Sequence, residues 1–258
     1  MLLCLDVGNS HIYGGLFTND ELVLRFRHTS KVSTSDELGI FLKVVLRENN
    51  CDPEQIRSVA ICSVVPSLEY SLRAACIKYL ATEPFFLQSG VKTGLNIQYK
   101  QPSDVGADRI ANAIAATQQF PGKNLIVIDF GTATTFCVMN AQKTYFGGAI
   151  LPGMRLFVEV LSNHTAKLPM VDIVKMDHAL GRSTVESIQS GIFYGALGAC
   201  RELIARIKQE QFAQQDVVIL ATGGFASLFE HCQLYDHHVP DLVLHGIRIA
   251  SKLNNNAS

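Results

Sequence analysis

The sequence predicts an α/β protein made of two similar halves, and three observations carry that prediction. Apolar strand-like runs alternate with segments of helical periodicity. A three-strand meander near the start returns in the middle of the chain, and the same acidic turn, Asp-x-Gly, follows the first strand of each meander. The two aspartates, Asp6 and Asp129, stand 123 residues apart in a chain of 258. A repeat at about half the chain length is the mark of a duplicated domain. Typical domains of roughly 100 to 200 residues leave room for one large domain or two ordinary ones.

The first meander comprises apolar runs at Leu2–Leu5, Ile12–Phe17 and Leu22–Phe26, the last two joined by the turn-forming Thr18-Asn19-Asp20. Thr34-Ser35-Asp36-Glu37 has the spacing of a capping box, and Leu38, Phe41, Leu42, Val45 and Leu46 recur behind it at helical intervals. Val59–Val65 reads as a buried strand closed by Pro66, Leu68–Leu80 as a helix, and Pro84–Leu87 as a short strand. The second meander runs through Leu125–Ile128, Thr134–Met139 and Thr144–Ile150, with a turn at Asn140–Lys143. Gln118-Gln119-Phe120-Pro121-Gly122-Lys123 is polar and carries Pro-Gly punctuation. The expected halves are therefore 1–117 and 118–258. The polar tail Asn254-Asn255-Asn256 is expected to fray.

Composition excludes several classes. With 48% hydrophobic and 17% charged residues the chain can bury a core and lacks the signature of disorder. A net charge of -1 and a pI near 6.7 offer no broad positive field, which argues against nucleic acid as the main partner. The seven cysteines are scattered singly without a C-x-x-C pair, the pattern of reduced core thiols in a cytoplasmic protein. Neither a signal peptide nor a membrane-spanning run is expected. His237-His238 lacks the neighbours of a metal site and reads as an inert loop pair. Gly191, Gly195 and Gly198 are expected to permit close helix packing.

Each Asp-x-Gly turn sets a carboxylate beside a glycine that lets backbone approach a ligand, and phosphate is the natural ligand of such a turn. One such turn is also ordinary hairpin chemistry. Two of them, one per half, would hold a nucleotide's phosphates from both sides. This pair, with the later Gly223-Gly224 turn after the strand Val217–Leu220, resembles the phosphate signature of the actin-like, hexokinase-like and Hsp70-like ATPase superfamily. The resemblance spans the chain and implies duplicated ribonuclease-H-like domains with a cleft between them.

The segment from Tyr99 through Pro102 to Gly106-Ala107-Asp108-Arg109 narrows the resemblance to type III pantothenate kinases. Gly147-Gly148-Ala149-Ile150-Leu151-Pro152-Gly153, Thr165-Ala166-Lys167-Leu168-Pro169 and Gly181-Arg182-Ser183-Thr184 are similar to that family as well. Ser10 departs from the usual threonine but keeps a hydroxyl.

The resemblance implies ATP-dependent phosphorylation of pantothenate, the first step of coenzyme A synthesis. It makes Asp108 the acceptor for the attacking hydroxyl's proton, with Tyr99, Gly106, Ala107 and Arg109 holding the rest of pantothenate. It lays Asp6, Val7, Gly8, Asn9, Ser10, His11, Ile12 and Tyr13 along the triphosphate, His11 only orienting the turn, and adds Thr132 from the other half. Mg²⁺ would bridge the phosphates, and a monovalent cation, K⁺ or NH₄⁺, is assigned to Asp129. The family's homodimer implies that Thr184 reaches across to the partner's pantothenate pocket. The apolar stripe Ile188, Ile192, Phe193, Leu197 would serve that interface or pack on its own sheet. Two rivals stay open: another alcohol acceptor on the same fold, and a nucleotide-binding regulatory protein.

Overall fold

A computed structural model describes residues 1–255. Its contacts group into two compact units: residues 1–95, 100–115 and the chain from Leu242 onward, and residues 96–99 with 116–241.

In the first unit the expected meander forms as β1 (Leu2–Val7), β2 (His11–Thr18) and β3 (Glu21–Thr29). β4 (Ser58–Ser63) and β5 (Phe85–Leu87) complete a sheet of order β3-β2-β1-β4-β5. β1 pairs antiparallel with β2 and parallel with β4. One face is covered by α1 (Ser35–Glu48) and α2 (Pro66–Leu80). Leu38, Leu42, Leu68 and Leu72 of these helices share a buried core with Leu3, Leu5, Val7, Ile12 and Ile61 of the strands. The capping box is formed: the Thr34 hydroxyl accepts from Glu37 N–H and the Glu37 carboxylate accepts from Thr34 N–H. β4 stops two residues short of the expected Val65, because Val65 already caps α2 and Pro66 occupies its first turn.

α6 (Leu242–Asn255) lies against β1, β4 and β5. Its Leu244 meets Gly15, and His245 packs edge-on against Phe17 with ring centroids 5.4 Å apart. The expected fraying at Asn254 and Asn255 does not occur; both are helical, and Asn254 both accepts from Lys92 N–H (3.0 Å) and donates to Lys92 O (2.9 Å). Asn256 lies outside the described residues.

The second unit repeats the plan. β7 (Asn124–Phe130), β8 (Ala133–Met139) and β9 (Thr144–Gly147) form the meander, and β11 (Val217–Thr222) and β12 (His237–His238) extend it on the other side of β7. The order β12-β11-β7-β8-β9 is that of the first sheet, strand for strand, with parallel pairings at the same two places.

Several details depart from expectation. The single strand read over Thr144–Ile150 breaks at Gly147, whose φ is +126°, and β10 (Ile150–Pro152) pairs back onto β8. β6 (Asn96–Ile97) adds a further edge beside β9. His237 and His238 form a strand instead of a loop. The helices α4 (Met154–His164) and α5 (Thr184–Ile207) cover this sheet. Ile188, Ile192, Phe193 and Leu197 are buried in this unit's own core, the second of the two places left open for them. A Cβ on Gly191, Gly195 or Gly198 would meet open space, which removes close packing as the reason for these glycines. Between β6 and β7, α3 (Ala107–Gln119) contains the division between the units.

Candidate functional site

The first acidic turn is built by the register of three strands. Asp6 is the penultimate residue of β1, opposite Tyr13 of β2 and Cys62 of β4. Val7 and Ile12 point into the helix-covered core, so alternation turns Asp6, Tyr13 and Cys62 to the other face. Gly8, Asn9 and Ser10 close the turn, with Gly8 N–H donating to His11 O at 3.0 Å. A Cβ on Gly8 would lie 3.3 Å from that same oxygen, so the glycine keeps the turn tight. Asn9, Ser10 and His11 are exposed. Ser30 N–H donates to Ser10 O at 3.1 Å and ties the end of β3 to the turn.

Asp108 belongs to the same unit. It occupies the first turn of α3, where carboxylates are favoured by the helix dipole, and Gly106 O receives the N–H of Ile110 at 3.1 Å. A Cβ on Gly106 would come within 2.5 Å of Asp108 Oδ1, so glycine is required for that carboxylate to fold back over the helix start. The N–H of Arg109 donates to the same oxygen at 2.8 Å. Burial nevertheless wins: it raises the Asp108 pKa above the ordinary 3.8, against the lowering by the Arg109 N–H and guanidinium. Arg109 itself is only 6% exposed. Ala107 is half-buried at the helix start.

Cys62, which sequence reasoning left among the inert core thiols, stands opposite Asp6 in the sheet and feels the charges of both carboxylates. Burial, and then the charges of Asp6 and Asp108, push its thiol well above its usual pKa, and its side chain hydrogen-bonds Asp6. A neutral thiol therefore donates to Asp6, and Asp6, Cys62 and Asp108 form one electrostatic cluster. The signal was present in the sequence, as Cys62 sits inside the Val59–Val65 run, but its partner depended on the parallel register of β4 with β1.

In the second unit Asp129 takes the place of Asp6, penultimate in β7 and opposite Thr222 of β11. Its turn is one residue shorter, Gly131 and Thr132, with Gly131 N–H donating to Ala133 O at 3.1 Å. The late glycine turn serves this aspartate. Gly223, at φ +89°, is packed so closely on Asp129 Oδ1 and the Phe130 backbone that a side chain would collide. Phe225 N–H then donates to Phe130 O at 3.3 Å. Thr132 is exposed, and its carbonyl accepts from Gly153 N–H at 3.0 Å. Any Cβ on Gly153 would strike the Gly131 and Thr132 carbonyls, which explains the glycine closing that motif.

Tyr99 belongs to this unit, not to that of Asp108. The pairing of β6 with β9 continues through Gln98 N–H to Tyr145 O (2.9 Å), and the Tyr99 ring rests on Gly147, where a Cβ would come within 3.1 Å. The Gly147-Gly148 turn is thus the seat of Tyr99. Two other motifs are helix termini. Thr165 donates from its hydroxyl to Leu161 O (2.7 Å) at the end of α4. Ser183 caps α5 by accepting from Glu186 N–H (3.2 Å), and Thr184 follows, exposed, as the first residue of that helix. Thr184 edges an apolar groove of about 560 Å³ between α4 and α5, lined also by Phe157, Val160, Leu161, Gly191 and Gly195.

The comparisons with known proteins agree with one another. A family model described as type III pantothenate kinase matches residues 2–206. The chain is 68% identical over 254 residues to a type III pantothenate kinase of Legionella pneumophila strain Paris, covering 98% of this chain and 99% of that one. It is 50% identical over 255 residues to type III pantothenate kinase 1 of Francisella tularensis subsp. holarctica strain OSU18, covering 98% and 100%. Among solved structures it is similar to a ROK hexokinase from Thermus thermophilus, at TM-score 0.51 and 12% identity over 100% of this chain and 99% of that one. That likeness and the repeated strand order make the fold a duplicated ribonuclease-H-like one.

Proposed function

The chain belongs to the type III pantothenate kinase family, and we propose that it transfers the terminal phosphoryl group of ATP to the primary hydroxyl of pantothenate, yielding 4'-phosphopantothenate, the first step of coenzyme A synthesis. The observation that carries this reading is the cluster of Asp6, Cys62 and Asp108. A carboxylate whose pKa is raised by burial lies beside a glycine-closed turn of the phosphate-binding type. Phosphoryl transfer asks chiefly for positioning and charge balance. Asp108 accepts the proton of the attacking hydroxyl, and the O–P bond forms as the bond to the departing ADP breaks.

The turn from Asp6 to Tyr13 holds the triphosphate, the backbone N–H groups and side chains of Asn9 and Ser10 supplying donors while the Gly8 N–H closes the turn on His11 O, with Thr132 contributing from the second half. Among the described residues there is no group of three or more His, Cys, Asp or Glu able to hold a metal. Mg²⁺ would arrive on the phosphates of ATP, taking few protein ligands and offsetting their charge. Asp129 takes a monovalent cation, K⁺ or NH₄⁺, close to the Gly223 turn. Gly106, Ala107, Arg109 and Tyr99 hold pantothenate, whose carboxylate calls for a cation such as Arg109.

The working form is a homodimer in which Thr184 completes the partner's pantothenate pocket. Support comes from the groove beside Thr184, where Phe157 and Val160 are 40% and 55% exposed. The units of duplication are 1–117 and 118–258, with the last helix packed on the first sheet. We place the enzyme in the cytoplasm, in keeping with seven cysteines scattered singly along the chain. Among the described residues no helix is long and apolar enough to cross a membrane.

The test is to incubate the purified protein with ATP, Mg²⁺, K⁺ and labelled pantothenate. Labelled 4'-phosphopantothenate is expected, with no transfer to a panel of other alcohols. A folded protein that binds ATP and phosphorylates none of these acceptors would overturn the assignment.

A further inference from the structure

A nucleotide triphosphate brings several negative charges to a turn that already carries Asp6 and, nearby, Asp108. Backbone N–H groups and Mg²⁺ offset part of that charge, and a protein cation on the same face would offset more. The first sheet provides one. β3 pairs with β2 so that Arg27 stands opposite Tyr13, and Tyr13 stands opposite Asp6. Arg27, Tyr13 and Asp6 therefore form one row across three strands, at about 4.8 Å per strand. Phe26, Ile12 and Val7, the neighbours in sequence, all point into the helix-covered core. The row of Arg27 lies on the opposite face.

The Arg27 side chain has a defined seat there. Its guanidinium carbon lies 4.8 Å from the centre of the Tyr13 ring, within cation–π range. Arg27 is exposed, and among the described residues its charge meets no carboxylate. An arginine serving only stability or solubility has no need of a ring that holds its planar donor fork beside a phosphate turn. Two residues further along β3, Thr29 pairs with His11, and Ser30 N–H bonds Ser10 O. The strand that carries Arg27 is thus fastened to the turn itself.

We propose that Arg27, held on the Tyr13 ring, is a phosphate-binding residue of this site that receives the β- and γ-phosphates of the nucleotide, with Tyr13 as its positioning residue. The inference rests on the placement of the triphosphate at the Gly8–Ser10 turn and extends it. Arginine suits the task because its five donors lie in a plane that matches phosphate oxygens in pairs, which a lysine cannot reproduce. It also assigns Tyr13 a function through its ring instead of its hydroxyl.

The experiment is calorimetric titration of the full chain with Mg²⁺-ATP, Mg²⁺-ADP and AMP, without pantothenate. Arg27→Gln is compared with wild type, Arg27→Lys, Tyr13→Leu and Asn9→Ala. Arg27 is exposed, so Arg27→Gln should keep the wild-type melting temperature, and circular dichroism checks this.

In Arg27→Gln, affinity for ATP is expected to fall roughly tenfold or more, that for ADP to fall less, and that for AMP to stay unchanged. Arg27→Lys should recover only part of the loss. Adding Tyr13→Leu to Arg27→Gln should cost little beyond the single changes, because the ring acts through the arginine. Equal affinity of Arg27→Gln and wild type for all three nucleotides overturns the proposal. If Asn9→Ala loses ATP affinity in that case, the turn reading survives alone; if Asn9→Ala also binds normally, both fall. A phosphate-dependent loss in Arg27→Gln with normal binding by Asn9→Ala supports the arginine and confines the turn's part to its backbone N–H groups.

Discussion

Asp108 holds the conflict between stability and chemistry in its clearest form. A catalytic base, the role proposed for Asp108, works best with a pKa moved toward the working pH, and burial moves the pKa of Asp108 upward from 3.8. The folded protein then binds the proton more tightly than the unfolded chain. Its contribution to stability is present in full below 3.8 and is lost as pH rises through the folded value. At neutral pH the desolvation of this carboxylate is therefore a cost to stability. Asp108→Asn should lower kcat by roughly 10² to 10⁴ while raising the melting temperature at pH 7 and leaving it unchanged below pH 3.8. In the wild type, kcat should fall on the acid side with a midpoint above 3.8. Thermal melts at two pH values and a pH–rate profile check these outcomes; a near-normal kcat would remove Asp108 from its role. The motif Gly106–Arg109 was legible as residues, but the pressure on this carboxylate was not, since it comes from burial that only folding produces.

Among the elements, those with local signals were legible in sequence. The capping box fixed the start of α1, Pro66 the start of α2, and β-branched and apolar runs the central strands. The elements that escaped are short and lean on distant partners: β6 and β10 are two and three residues long, and each exists because another strand edge is beside it. α6 shows what a single close approach demands. Any side chain at Gly246 would strike the backbone of Ala111 in α3. Gly246→Ala should therefore destabilise the protein by about 1–3 kcal/mol through overpacking, despite alanine's better helix propensity. Gly198→Ala in α5 is the control: a Cβ there meets open space, and the change should stabilise by about 0.5–1 kcal/mol. Urea unfolding midpoints of the two variants should move in opposite directions.

For the whole molecule, two sheets of one strand order explain how a chain of modest length acquires two acidic turns at matching positions. The turns are not copies. The first has three residues and the second two, and Cys62 stands beside Asp6 where Thr222 stands beside Asp129. Such divergence is in keeping with the different ligands proposed for the two turns. The dimer contact proposed above lies at the groove between α4 and α5. Phe157→Glu places a charge in that apolar surface, which a dimer contact would have to desolvate. It should shift the sedimentation coefficient to that of a monomer and raise the KM for pantothenate, while ATP affinity is retained. A Phe157→Glu protein that sediments like wild type would argue against this groove as the dimer contact.

The sequence by itself determined the central strands and principal helices, the duplication, the family and the residues that carry its motifs, because periodicity, capping and tight-turn chemistry are written within a few neighbouring residues. The tertiary structure decided which side chains stand together: Cys62 with Asp6 and Asp108, Tyr99 on Gly147, Gly223 against Asp129, and Arg27 on Tyr13. The physical reason is register. A strand's partner is set by burial and hydrogen bonding summed over the sheet, and a shift of one residue would turn Asp6, Cys62, Tyr13 or Arg27 to the opposite face.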